Sequence, residues 1–125
     1  MEAFVLVVDD DKNVLNMVVT RLELGGYRVT TATDAWQGII QASGLKIGMV
    51  ISDIQMPGLG NGVDGFVRIR QAAPNLPFIF MTGMPLEEAR KLIPPDPRAR
   101  LLPKPIDFAQ LRATIKELTG VDRPL

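Results

Sequence analysis

Three aspartates, Asp9, Asp10 and Asp11, stand directly after the apolar run Val5-Leu6-Val7-Val8. Adjacent carboxylates repel by about 1–4 kcal/mol per close pair at intermediate dielectric, so holding them at the end of a buried strand requires a compensating gain. That gain is a bound cation, a helix cap, or both. Further along, Asp53 ends the run Val50-Ile51-Ser52, Thr82 ends Phe78-Ile79-Phe80-Met81, and Lys104 follows Leu101-Leu102-Pro103. Carboxylates converging on one point suit a hard cation with oxygen ligands, magnesium first. A carboxylate beside such a cation can attack a phosphoryl group and become an acyl phosphate. A lysine and a hydroxyl can then neutralise and hydrogen-bond the phosphoryl oxygens.

The composition removes most other chemistries. The chain has no cysteine and no histidine. This excludes disulfides, thiolate metal sites, Ser-His-Asp and Cys-His catalysis, and the usual zinc sites. Lysine plus arginine balances aspartate plus glutamate at 14 each, so no global charge points to nucleic acid or an acidic membrane. A chain of 125 residues, 46% hydrophobic, fits one globular domain with a sizeable core. No apolar run approaches the roughly 20 residues that span a bilayer. The N-terminal apolar stretch is short, lacks a basic flank and ends in acids, unlike a signal peptide. The expectation is a cytoplasmic protein without membrane insertion or direct nucleic-acid contact.

The reactive residues lie on separate segments, so a fold must gather them. Strand and helix patterns alternate along the chain. Strands are expected at 3–8, 28–32, 48–52, 78–81 and 100–102. Helices are expected at 11–24, from Asp34 to about Ala42, at about 63–72, at 86–93 and from Asp107 to Gly120. Asp34 with Gln37, and Asp107 with Gln110, have capping-box spacing. Gly25-Gly26 ends the first helix. Five βα units of this kind imply a doubly wound parallel sheet covered on both faces. In such sheets the ligand lies outside the carboxyl ends of the strands, at the switch point of strand order. Asp9, Asp10, Asp53, Thr82 and Lys104 all follow or end strands and gather at that edge.

In order and approximate spacing, four stretches resemble the receiver domain of two-component response regulators: Val7-Val8-Asp9-Asp10-Asp11, Ser52-Asp53-Ile54-Gln55-Met56-Pro57-Gly58, Met81-Thr82-Gly83 and Leu102-Pro103-Lys104-Pro105. The resemblance spans essentially the whole chain. It implies a flavodoxin-like (βα)5 fold with strand order 2-1-3-4-5. Asp53 would be the phosphoacceptor, charged by a sensor histidine kinase or a histidine phosphotransfer protein. Asp10 would bind Mg2+ directly, with Mn2+ as a substitute, and Asp9 mainly through water. Asp53 and the backbone carbonyl of Gln55 would complete the metal site. Thr82 would swing toward the phosphoryl group, and Lys104 would pair with Asp53 or its phosphate. A cis peptide is expected at Lys104-Pro105. The family does not act on other substrates: it catalyses its own phosphorylation and dephosphorylation, and signals through a downstream protein partner.

Several features depart from that pattern. Four more residues than usual separate Pro57 from Asp64, and this longer loop is expected to be mobile. Leu101 takes the place of an aromatic that often moves with the threonine. Pro94-Pro95-Asp96-Pro97 shortens the fourth helix. Gly60-Asn61-Gly62-Val63-Asp64-Gly65 fits G-x-G-x-x-G but reads as a flexible loop before a helix, not a dinucleotide site. Trp36 and most methionines read as packing, and Asp11 as the cap of the first helix. Only residues 121–125 follow the last helix, so the organisation expected is a receiver over 1–120, a short tail, and no output domain. Two rival readings are a pseudo-receiver that binds partners without phosphorylation and an aspartate-nucleophile phosphatase of the haloacid dehalogenase type using Asp9. The latter's Asp-x-Asp motif continues into Gly-Thr, where this chain has Lys12-Asn13.

Overall fold

The computed structural model describes residues 3–55 and 61–125. Five strands, β1 (Phe4–Val8), β2 (Val29–Ala32), β3 (Ile47–Asp53), β4 (Phe78–Thr82) and β5 (Ala99–Pro103), alternate with five helices, α1 (Lys12–Leu24), α2 (Ala35–Gly44), α3 (Gly62–Ala72), α4 (Leu86–Leu92) and α5 (Phe108–Thr119). The strands form one parallel sheet in the order β2-β1-β3-β4-β5, the doubly wound, flavodoxin-like topology expected. β1, β3 and β4 carry no charge before their last residue, and they are the three inner strands, buried on both faces. The more polar β2 and β5 take the edges.

Alternation along the strands divides the core in two. Val5, Val7, Met49, Ile51, Ile79 and Met81 pack on one face with Leu15, Val18 and Leu22 of α1 and Leu111 and Ile115 of α5. Leu6, Val8, Val50, Phe78 and Phe80 pack on the other with Ala35 of α2, Phe66 and Ile69 of α3 and Ala89 of α4. There the Phe66 ring stands edge-on to Phe78 and Phe80, with centroids 4.9 and 5.2 Å away.

Helix starts follow the side chains that can satisfy free N–H groups. Asp11 accepts from the amides of Asn13 and Val14, and Asp107 from those of Ala109 and Gln110. Asp34 caps α2 through Gln37 N–H, but the Gln37 side chain accepts from Thr33, so that capping box is only half formed. The reciprocal box forms instead at Asn61 and Asp64. Gly26, at φ +88°, provides the left-handed turn that stops α1.

Sequence expectations change at the start of α3 and at Trp36. Within the G-x-G-x-x-G stretch, Asn61 caps α3 and Gly62 to Gly65 form its first turn rather than a loop before it. A Cβ at Gly62 would overlap the carbonyl oxygen of Asp53, and one at Gly65 would meet Ala35 at 3.5 Å. Close packing on β3, not phosphate binding, explains Gly62, whereas a Cβ at Gly65 would make only an ordinary contact. Trp36 is 44% exposed, with the Arg68 guanidinium 5.7 Å from its ring centroid, so it is not a core residue. Met49 and Met81 are core as expected, whereas Met17 is exposed. Residues 121–125 do not trail away. Arg21 donates to the Leu125 carbonyl at 2.8 Å, and the Leu125 side chain packs against the core beside α1 and α5. The expectation of a mobile loop between Pro57 and Asp64 falls largely outside the described residues.

The short α4 ends before Pro94-Pro95, as expected. The chain that follows is tied back by Arg70, whose guanidinium makes two bonds to Asp96 (2.9 and 3.1 Å) and donates to the carbonyls of Ala73 and Leu76. Lys104-Pro105 is cis. Among the described residues no helix is long and apolar enough to cross a membrane.

Gly62 offers a direct test of how tightly α3 is seated on β3. Gly62→Ala is expected to destabilise the fold by about 2 kcal/mol or more, since the methyl must displace backbone rather than a flexible side chain. Urea denaturation checks this, with Gly44→Ala as the control, because a Cβ there meets nothing within 4 Å.

Candidate functional site

Strand register places the reactive residues side by side. Val8 lies opposite Ser52, so Asp9 and Asp53 each stand one residue beyond that pair on adjacent strands. Asp53 lies opposite Met81, so Thr82 is one step further on the next strand. Thr82 lies opposite Pro103, and Lys104 follows. β1 and β3 are also where the strand order reverses. The site therefore lies at the switch point, as the sequence reading places it.

Asp9, Asp10 and Asp53 each present a carboxylate oxygen within 4.8 Å of the others. Asp9 is fully buried and Asp53 nearly so, while Asp10 faces solvent. Both Asp9 oxygens are engaged: Oδ1 accepts from Asp11 N–H at 2.9 Å, and Oδ2 from Lys104 Nζ at 2.9 Å. The same ammonium stands 3.3 Å from Asp53 Oδ2. Asp53 Oδ1 accepts a longer bond, 3.3 Å, from Gln55 N–H. Lys104 therefore bridges two acids and is closer to Asp9, a contact that strand-by-strand reading of the sequence did not foresee. Its only sequence signal is that β1 and β5 both end at this edge. Gly62 was missed as well. Its N–H donates to the Ile54 carbonyl while Ile54 N–H donates to Met81, so the backbone after Asp53 is pinned from both sides.

Three carboxylates against one ammonium leave two formal negative charges. A divalent cation would neutralise them, and an all-oxygen donor set suits Mg2+. The electrostatics of the site agree. Burial raises the Asp53 carboxyl above its ordinary 3.8; Lys104 opposes this, and Asp9 adds to it. Lys104 is held above its ordinary 10.5 despite burial, by the hydrogen bond it donates to Asp9 and the charge of Asp53. Thr82 is buried and its Oγ1 accepts from Met84 N–H at 2.9 Å, leaving its own proton free to donate.

The raised Asp53 pKa fixes the sign of a stability effect. The folded protein holds this proton more tightly than the unfolded chain. The resulting stabilisation is complete below pH 3.8 and is lost as pH rises through the higher folded value. At neutral pH the ionised carboxylate is thus a cost. Asp53→Asn is expected to raise stability at pH 7 without metal by on the order of 1 kcal/mol, with the advantage vanishing toward acid pH. Thermal melts across pH check this; a variant less stable than wild type at pH 7 would contradict it.

Residues 5–116 match the family described as response regulator receiver domain. The chain is 31% identical over 118 residues to the sensor kinase CckA of Brucella abortus, covering 93% of this chain and 12% of that protein. It is 34% identical over 116 residues to the transcriptional regulatory protein FixJ of Bradyrhizobium diazoefficiens, covering 90% of this chain and 54% of that protein. It thus spans about half or less of these relatives. Among solved structures, a response regulator receiver protein from Sinorhizobium medicae WSM419 superposes with a TM-score of 0.85 at 26% identity, covering 96% of this chain and 97% of the other.

Proposed function

The chain belongs to the response regulator receiver family of two-component signalling, and on that premise we propose that it accepts a phosphoryl group on Asp53 from a phosphohistidine donor. The observation that carries this reading is the placement of Asp53. It is a carboxylate at the switch-point edge, with Lys104 at 3.3 Å and oxygens of Asp9 and Asp10 within 4.8 Å. Asp9, Asp10, Asp53 and the Gln55 carbonyl would hold Mg2+, or Mn2+ as a substitute. The ion supplies charge neutralisation for the incoming phosphoryl oxygens.

An Asp53 carboxylate oxygen attacks phosphorus, and a P–O bond forms as the P–N bond breaks. The histidine nitrogen keeps the electron pair and takes a proton from solvent, leaving an acyl phosphate on Asp53. Lys104 follows the new charge from the carboxylates to a phosphoryl oxygen. Thr82 donates its free proton to another. In turning, Thr82 gives up the Met84 N–H it now accepts. With Leu101 where an aromatic often stands, that released amide at the start of the β4–α4 loop is the route by which the site reports its state.

In this reading residues 1–120 form a receiver module that works in the cytoplasm and acts only on itself. A sensor kinase or phosphotransfer protein is its donor, and a protein partner reads its state. Burial and full hydrogen bonding of Asp9 count against Asp9 as the nucleophile of a phosphatase. The test uses phosphoramidate, a small donor with the P–N bond of phosphohistidine. Incorporation of acid-labile phosphate is expected with Mg2+ and not with EDTA. No incorporation under either condition would leave the binding-only pseudo-receiver instead.

A further inference from the structure

Ser52 is a polar residue at a position that suits an apolar one. It is buried in an inner strand, and its cross-strand neighbours are Val8 and Phe80. A β-branched side chain such as valine would fit that pleated, buried surface better. The Ser52 hydroxyl donates to the carbonyl oxygen of Asp53 at 2.9 Å. The same carbonyl faces α3 at the point where a Cβ on Gly62 would overlap it. Four hydrogen bonds hold the two peptide units that follow the Asp53 side chain. In the first unit, the Asp53 carbonyl accepts from Ser52, and Ile54 N–H donates to the Met81 carbonyl at 3.1 Å. In the second, the Ile54 carbonyl accepts from Gly62 N–H at 2.9 Å, and Gln55 N–H donates to Asp53 Oδ1 at 3.3 Å. Met81 and Gly62 contribute backbone groups, which most residue types would also supply. Ser52 is the anchor that depends on a side chain other than the acid itself.

We propose that Ser52 is a positioning residue for phosphoryl transfer: its hydroxyl fixes the Asp53 carbonyl, and through it the direction in which the Asp53 carboxylate and the Gln55 carbonyl are presented. The inference rests on the reading of Asp53 as the phosphoacceptor. Without the hydroxyl, the first peptide unit keeps only its N–H anchor and rocks about its Cα–Cα axis. That motion carries Gln55 N–H away from Asp53 Oδ1, across a bond that is already long. The carboxylate then loses the contact that orients it and spends less time aligned for attack on phosphorus. A misplacement on the order of 1 Å at a reacting group lowers a rate by about 100-fold, so a small rotation here is enough to matter. The strand keeps serine, against its own packing preference, because the hydroxyl serves the site and not the core.

Ser52→Thr and Ser52→Val test the proposal as a pair. Their side chains have nearly the same shape and differ in the hydroxyl, so any strain from the added methyl is common to both. With phosphoramidate and Mg2+, Ser52→Thr is expected to take up phosphate within about threefold of the wild-type rate, and Ser52→Val at least about tenfold more slowly. Urea denaturation should find Ser52→Val no less stable than Ser52→Thr, since valine packs well between Val8 and Phe80. The second readout needs neither donor nor metal. By NMR, the Ile54 and Gln55 amides should exchange with solvent at least about fivefold faster in Ser52→Val than in Ser52→Thr, with the Ile51 amide unchanged. If the wild-type protein takes up no phosphate, the phosphoacceptor reading fails, and amide exchange still decides whether Ser52 holds this backbone. Equal phosphorylation rates in the two variants overturn the proposal. So does equal exchange at Ile54 and Gln55, or a slower rate in Ser52→Val matched by lost stability.

Discussion

Asp53→Asn is expected to lower Mg2+-dependent phosphate incorporation from acetyl phosphate at least about 100-fold, a loss of about 3 kcal/mol or more in transition-state stabilisation. The substitution keeps shape and volume, and its amide can still accept from Gln55 N–H. What it removes is the nucleophile: a neutral amide oxygen does not displace a leaving group from phosphorus as a carboxylate does. It also removes one of the three carboxylates within 4.8 Å of one another, so Mg2+ affinity should fall together with reactivity. The same variant should be more stable than wild type at pH 7 without metal. Lost incorporation with gained stability separates a chemical role from mere misfolding, and a variant that loses both would not support the assignment. The rate of phosphate incorporation at fixed acetyl phosphate and Mg2+ is the measurement.

Lys104→Met should have the largest effect on stability. Lys104 is the only cation within salt-bridge distance of Asp9 and Asp53 among the described residues, and Asp9 has no exposure to water. Removing the ammonium leaves a buried carboxylate with one backbone N–H and a second carboxylate nearby. Loss of one partner from a buried pair costs about 3–5 kcal/mol. Part of this should be recovered by Mg2+, which supplies positive charge at the same point, and part at acid pH, where the carboxylates take up protons. Urea denaturation at pH 7 with and without Mg2+, and again at pH 4, reads both recoveries. A variant as stable as wild type at pH 7 in EDTA would show that Lys104 does not hold the acids together. Phosphorylation should also slow in Lys104→Met, because no other side chain shown in the site brings positive charge to the phosphoryl oxygens.

Much of this site was legible because three parallel strands end in short polar segments, and a parallel sheet has one carboxyl edge. Asp9, Asp53 and Thr82 could be placed together from strand ends alone, and Lys104 from the strand before it. What stayed hidden depends on distances across the edge. That Lys104 lies nearer Asp9 than Asp53 follows from side-chain reach over the inner strands, which no local spacing encodes. Gly62 was read as loop because its role is a contact with the backbone of Asp53, nine residues earlier and on another element. Trp36 was read as packing because helical period assigns a face only when the apolar stripe is narrow. α2 has apolar residues on most of its circumference, so periodicity could not say which would remain outside. Arg70 and Asp96 joined for a similar reason: their partnership spans an entire strand and helix. The capping residues Asp11, Asp34 and Asp107 were found directly, since a cap acts on its own next turn.

The central claim is that Asp53, and not a neighbouring acid, carries the phosphoryl group. Borohydride reduction of the phosphorylated protein converts an aspartyl phosphate to homoserine, and peptide mass mapping then locates it. The account predicts homoserine at position 53 alone, formed only when Mg2+ was present during phosphorylation. Homoserine at position 9 or 10, or phosphate found on a hydroxyl and resistant to borohydride, would contradict it.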